Sequence, residues 1–222
     1  DMLLGALYDL GVPQEIIEKP LKAIGLEASY NLSFKEGKSS SIRGIKAYVE
    51  VLDNSIKRDW RSIRELIIKG GLEIDLEKKI LGVFGTLAEA ESKVHGIDCD
   101  EVHFHEIGSI DSLVDIIGVC AGFNYLKPKI IYSNIPTLGK GFAKTEHGKI
   151  SIPSPAVIEL VTRNNLRICN NSKEIDGELS TPTGIALLSI LVDSFESPYE
   201  YQIKSYGVGV GNRKLNLPNL TR

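Results

Sequence analysis

From residue 74 to residue 94 the apolar side chains fall at Leu76, Ile80, Val83, Phe84, Leu87, Ala88 and Val94. That spacing is close to the helical repeat and predicts one long amphipathic helix, with Gly96 as its stop. Shorter helices are predicted over residues 2–10, closed by Gly11, and 14–24, which follows Pro13 and stops at Gly25. Proline at the start and glycine past the end is the asymmetry that helix termini favour. Residues 59–69 (ended by Gly70-Gly71), 155–163 and 183–195 also read as helices. Ser109 is a good N-cap for a further helix reaching about residue 126, with Asp111 in its first turn complementing the helix dipole.

Residues 27–35 and 42–52 alternate apolar and polar positions in places and predict two strands. Gly37-Lys38-Ser39-Ser40-Ser41 between them reads as a turn or flexible loop. Residues 102–105 form a short extended run, 129–135 a β-branched strand, and 201–211 a final strand. Residues 136–154 read as a long loop containing glycine and proline, a kind of segment that is often functional inside a compact domain. Strands and helices do not alternate strictly. The expected fold class is therefore α+β, mixed sheets packed with helices, with no Rossmann fold or TIM barrel.

The 222 residues are 42% hydrophobic and 25% charged, ordinary for a globular chain. A net charge of -3 leaves no basic footprint, so no nucleic-acid partner is expected. The longest apolar run, near residues 114–123, is broken by Asp115, Gly118 and Gly122, and no membrane span is expected. No signal peptide is visible, and the chain is expected to start within a longer sequence, because it opens directly on a helical pattern. Cys99, Cys120 and Cys169 are odd in number, far apart and without a CxxC pair. No disulfide framework follows from them, and the expected location is a reducing cytoplasm.

The chemistry concentrates in residues 102–118, VHFHEIGSIDSLVDIIG. In an extended run, positions two apart share a face, so His103 and His105 would present two imidazoles together, a good chelate for a transition metal. Asp111 and Asp115 are four apart on a helix and also share a face. With Glu106, up to three carboxylates would converge on the imidazoles. The set suits nickel, zinc, iron or manganese. The lack of a thiolate pair speaks against a structural zinc site, although Cys99 is near enough to offer one sulfur. The ordinary alternative is a surface edge with a dipole-complementing Asp111. Asp115 fits that poorly, because it lies among Leu113, Val114, Ile116 and Ile117.

Three other segments are weaker. Residues 139–155 hold His147, Lys140 and Lys144 on a Gly-containing loop, able to meet a phosphate or merely solvated. Thr181 and Thr183 flank Pro182 at a helix start, where free amides bind anions, but on the residues alone ordinary capping is the better explanation. Gly207-Val208-Gly209-Val210-Gly211 matches no nucleotide motif, and alternating glycines on a strand fit close backbone approach better.

In order along the chain, Asp1-Met2-Leu3-Leu4-Gly5-Ala6-Leu7, Ala88 to Gly96, Val102 to Gly118, the His147-Gly148 loop, Thr181-Pro182-Thr183-Gly184 and Pro218-Asn219-Leu220-Thr221-Arg222 resemble one family. It is the nickel-insertion protein of lactate-racemase cofactor synthesis (LarC). The resemblance implies that the chain is the N-terminal, nickel-binding part, residues 1–222, subdivided near 54–60, with a C-terminal nucleotide-binding domain absent. It implies a nickel chelatase, a metal-inserting lyase. Such a protein places Ni²⁺ in pyridinium-3,5-bisthiocarboxylic acid mononucleotide and uses CTP with Mg²⁺ or Mn²⁺ through the C-terminal domain. His103, His105 and His147 would hold the metal, with Glu106, Asp111 and Asp115 as catalytic carboxylates. Lys140, Lys144, Thr181 and Thr183 would meet the substrate phosphate. Its own C-terminal domain and a homo-oligomer are the expected partners. Where many members carry a histidine-rich loop, residues 53–58 here have no histidine, and Ser151 stands where a proline is common. The alternatives are a metal-dependent hydrolase with an activated water and a non-catalytic nickel metallochaperone.

Overall fold

The computed structural model describes residues 1–53, 59–104, 107–145, 148–169, 175–213, 215 and 217–222. The chain opens with two helices, α1 (Met2–Asp9) and α2 (Gln14–Ala23), then two strands, β1 (Tyr30–Ser39) and β2 (Ile42–Val51). Helices α3 (Trp60–Lys69) and α4 (Ile74–His95) follow, then a 3-10 turn (Cys99–Glu101) and α5 (Ile110–Leu126). The remainder holds β3 (Phe142–Thr145), β4 (Gly148–Ser151), α6 (Pro155–Arg163), α7 (Pro182–Leu191), β5 (Gly209–Val210) and β6 (Leu220–Thr221). This is the expected α+β class, and no barrel is present among the described residues.

Apart from Asp115, the middle of α5 is apolar all round, the pattern of a helix enclosed by protein. Leu113, Val114, Ile116, Ile117, Val119 and Cys120 are buried, and α5 packs against α1, α2 and α4. α4 stops at Gly96 in the left-handed region, φ 66°, as its sequence predicts. One hydrophobic cluster reaches from Leu4 through Trp60 to Leu191. It takes in residues on both sides of the 54–60 stretch. Among the described residues no helix is long and apolar enough to cross a membrane.

The larger sheet has the order β1-β2-β5-β6. β1 and β2 form a hairpin paired from Tyr30↔Val51 to Ser39↔Ile42. Its turn is only Ser40 and Ser41, both at positive φ, 47° and 69°, the two-residue geometry that matches strand twist. The expected five-residue loop is therefore mostly strand. β5 runs parallel to β2 through Ile45↔Gly209, and β6 returns antiparallel. A Cβ on Gly209 would overlap the Met2 carbonyl oxygen, so the alternating glycines do serve close approach, here of α1 to β5.

Four further expectations need correction. Residues 129–135 are not a strand: they make one isolated bridge, Tyr132↔Ser194, with Asp193 N–H donating to Ile131 O at 2.9 Å. The same contacts end α7 at Leu191, short of residue 195, because Asp193 and Ser194 turn to meet residues 131–133. Residues 136–154 contain the β3–β4 hairpin. Residues 201–208 belong to no named strand, and only Gly209–Val210 of the expected 201–211 are paired as one.

Candidate functional site

His103 stands out because its neighbours do not. Val102 is 0% exposed and Phe104 1%, so the extended run turns His103 to the surface. Trp60 N–H donates to Val102 O at 3.0 Å, and an isolated antiparallel bridge sets Asp59 beside His103. Beneath, the Phe104 ring lies 6.4 Å from that of Phe84, tilted by 52°.

This corner forms an open cleft of about 470 Å³ lined by Asp59, Arg61, Asp100, Glu101 and His103. Asp59 caps α3, accepting from Ser62 N–H at 2.8 Å and Ser62 Oγ at 2.9 Å. Burial would raise its pKa, but the Ser62 donors and the nearby His103 outweigh that and hold the carboxyl below its usual range. Asp100 is held by Arg64 at 3.1 Å. Burial and the neighbouring acids Glu89, Asp100 and Asp98 raise the pKa of the Cys99 thiol, making it a poor thiolate donor to this corner.

The two aspartates of α5 lie at another junction. Asp111 is exposed in the first turn. Asp115, one turn on, accepts through Oδ2 from the backbone nitrogen of Asp1 at 2.5 Å. Its side chain is 25% exposed, yet Oδ1 is enclosed without a hydrogen-bond partner. Burial raises the Asp115 pKa, Asp111 adds to the rise, and the Asp1 nitrogen opposes it. The Asp1 carboxylate accepts from Met2 N–H at 2.6 Å and from Asn212 Nδ2 at 3.2 Å. Chain start, central helix and C-terminal segment thus meet at Asp115.

His103 therefore sits with Asp59 and Glu101, and Asp115 sits with Asp1. His105, Glu106 and His147 lie outside the described residues. Among the described residues, no group of three His, Cys, Asp or Glu side chains is placed to hold a metal ion. Sequence reasoning missed Asp1, Asp59 and Glu101. Glu101 had a signal, lying two residues before His103 in the same alternation. Asp59 and Asp1 had none, because their partners are 44 and 114 positions away in the chain.

Of the anion candidates, Lys140 bridges to Asp176 and Gly177, a few residues before Thr181. Lys140 lies 3.8 Å from Asp176. Lys144 is exposed on β3 across from Lys149. Thr181 is the N-cap of α7, its Oγ1 accepting from Gly184 N–H at 3.1 Å, and Thr183 is half-buried in the first turn. Thr181 thus makes the ordinary capping bond.

The family model described as nickel insertion protein matches residues 1–222. A provisionally named nickel insertion protein of Synechococcus sp. (strain JA-3-3Ab) is 40% identical over 100% of this chain and 56% of its own length. The pyridinium-3,5-bisthiocarboxylic acid mononucleotide nickel insertion proteins of Desulfitobacterium hafniense (strain DSM 10664 / DCB-2) and Clostridium kluyveri are each 34% identical, over 54% and 58% of their lengths. The chain thus spans little more than half the length of these relatives. No solved structure matches. On a match that runs from its first residue to its last, the chain belongs to the nickel insertion protein family.

Proposed function

We propose that this chain is the nickel-holding part of a cytoplasmic chelatase that inserts Ni²⁺ into pyridinium-3,5-bisthiocarboxylic acid mononucleotide. The observation that carries the reading is His103, turned outward between two buried residues into an acid-lined cleft. His103 holds Ni²⁺ together with His105 and His147. Imidazole and carboxylate are harder donors than the substrate's thiocarboxylate sulfurs, so transfer proceeds by ligand exchange. Forming the nickel–carbon bond releases the pyridinium C–H proton and changes no oxidation state. Glu106, Asp111 and Asp115 are the carboxylates proposed to accept that proton. Lys140, Lys144 and the amides at the start of α7, near Thr181 and Thr183, meet the substrate phosphate. CTP with Mg²⁺ or Mn²⁺ acts through the part of the relatives beyond the matched residues.

The test is nickel transfer. The nickel-loaded chain is mixed with the mononucleotide, with and without the C-terminal part and CTP, and the product is read by mass spectrometry through the nickel isotope pattern. Wild type is expected to transfer metal and His103→Ala to fail. Nickel binding without transfer in any combination would mark a metallochaperone instead. Phosphoester hydrolysis with Mn²⁺ or Zn²⁺ would mark a hydrolase.

A further inference from the structure

Residues 196–206 are exposed without a break, between the turn after α7 and the buried Gly207. Among the described residues, no backbone hydrogen bond is made from 197 to 207. Tyr199 is 100% exposed, Tyr201 71%, Ile203 69% and Tyr206 73%. Among the described residues, Glu200 and Lys204 make no ion pair. The sequence Pro198-Tyr199-Glu200-Tyr201-Gln202-Ile203-Lys204-Ser205-Tyr206 nevertheless has strand alternation: Tyr199, Tyr201 and Ile203 on one face, Glu200, Gln202 and Lys204 on the other. It leads directly into β5, whose pairing with β2 already reaches back to Ile45 N–H donating to Val208 O at 2.7 Å.

We propose that this segment is a self-complementary docking strand, and that its occupant is the same segment of a second copy, paired antiparallel about Gln202. The register follows from the charges. With Gln202 on the two-fold axis, Glu200 faces the partner's Lys204, and Lys204 faces the partner's Glu200. On the other face Tyr201 meets the partner's Ile203. Two opposite-charge pairs and two aromatic–aliphatic pairs are the combinations that stabilise neighbouring strands. A two-fold axis satisfies both copies with one surface, and the unpaired backbone gains its missing partners. A parallel pairing in register would place like charges opposite each other and is disfavoured. The segment bends at Tyr199 and Glu200 in the single chain, so docking straightens it. The contact is short, and it is a weak, salt-sensitive dimer.

Sedimentation equilibrium tests this from about 1 µM to about 1 mM, the range of weak association. Wild type is expected to dimerise, and Glu200→Lys to weaken the dimer at least about ten-fold by setting lysine against lysine at both pairs. Lys204→Glu acts likewise with glutamates. An equal mixture of these two variants restores association as a mixed dimer, and so does the Glu200→Lys/Lys204→Glu double variant. Both rescues require folded chains, so misfolding cannot imitate them. A wild type that stays monomeric throughout overturns the proposal. So does a dimer that Glu200→Lys leaves intact, or one that neither rescue restores.

Discussion

Phe104→Ala removes the ring that anchors the run carrying His103. Phe104 is 1% exposed and packs against Phe84. Truncating a buried phenylalanine costs about 3–5 kcal/mol, the lost transfer energy plus the cavity left behind. Part of that, about 0.5–1.5 kcal/mol, is the ring pair itself. In a domain of this size each kcal/mol lowers the melting temperature by about 2–4 °C, giving a fall of about 6–20 °C. Phe104→Leu keeps most of the volume and is expected to cost about 1–2 kcal/mol. His103→Ala, on the exposed side of the same run, stays within about 0.5 kcal/mol of wild type. Urea unfolding followed by circular dichroism measures all three. If Phe104→Ala cost less than about 1 kcal/mol with an unchanged m-value, Val102 and Phe104 would not be what fixes His103.

Three further perturbations address the frame and the second junction. Asp59→Ala strips the cap from α3 and is expected to cost about 1 kcal/mol, while Asp59→Asn, an equally good cap, stays close to wild type; thermal melts separate them. Gly209→Ala sets a methyl into the Met2 carbonyl and is expected to cost about 2–3 kcal/mol in the same melts; a neutral result would mean α1 does not rest on β5. Asp115 has a folded pKa raised above 3.8, so the folded chain binds that proton more tightly than the unfolded chain. Its stabilising contribution is full below about pH 4 and is lost as pH rises through the raised value. Asp115→Asn should therefore gain on wild type in melting temperature toward neutral pH but not near about pH 3, and parallel curves would contradict the assignment.

Helices were legible where burial and termini agreed. α5 shows this best, with Ser109 and Asp111 marking its start and Leu113 to Cys120 its enclosure. The turning of His103 was legible from alternation with Val102 and Phe104. The β3–β4 hairpin was not, because its four-residue strands show no fully buried position, so no apolar face marks them. Residues 201–208 misled for the opposite reason. They carry a clear strand alternation that, before Val208, finds no backbone partner among the described residues. Asp59 and Asp1 were invisible as site residues, because a bridge to His103 and a hydrogen bond to Asp115 are products of tertiary register.

Isothermal titration of Ni²⁺ into wild type and His103→Ala probes the nickel reading most directly. The account predicts saturable binding by wild type and a loss of at least about ten-fold in affinity for the variant, whose unfolding curve should remain that of wild type. Equal affinities in two equally folded proteins would remove His103, and the cleft it enters, from any role in holding the metal.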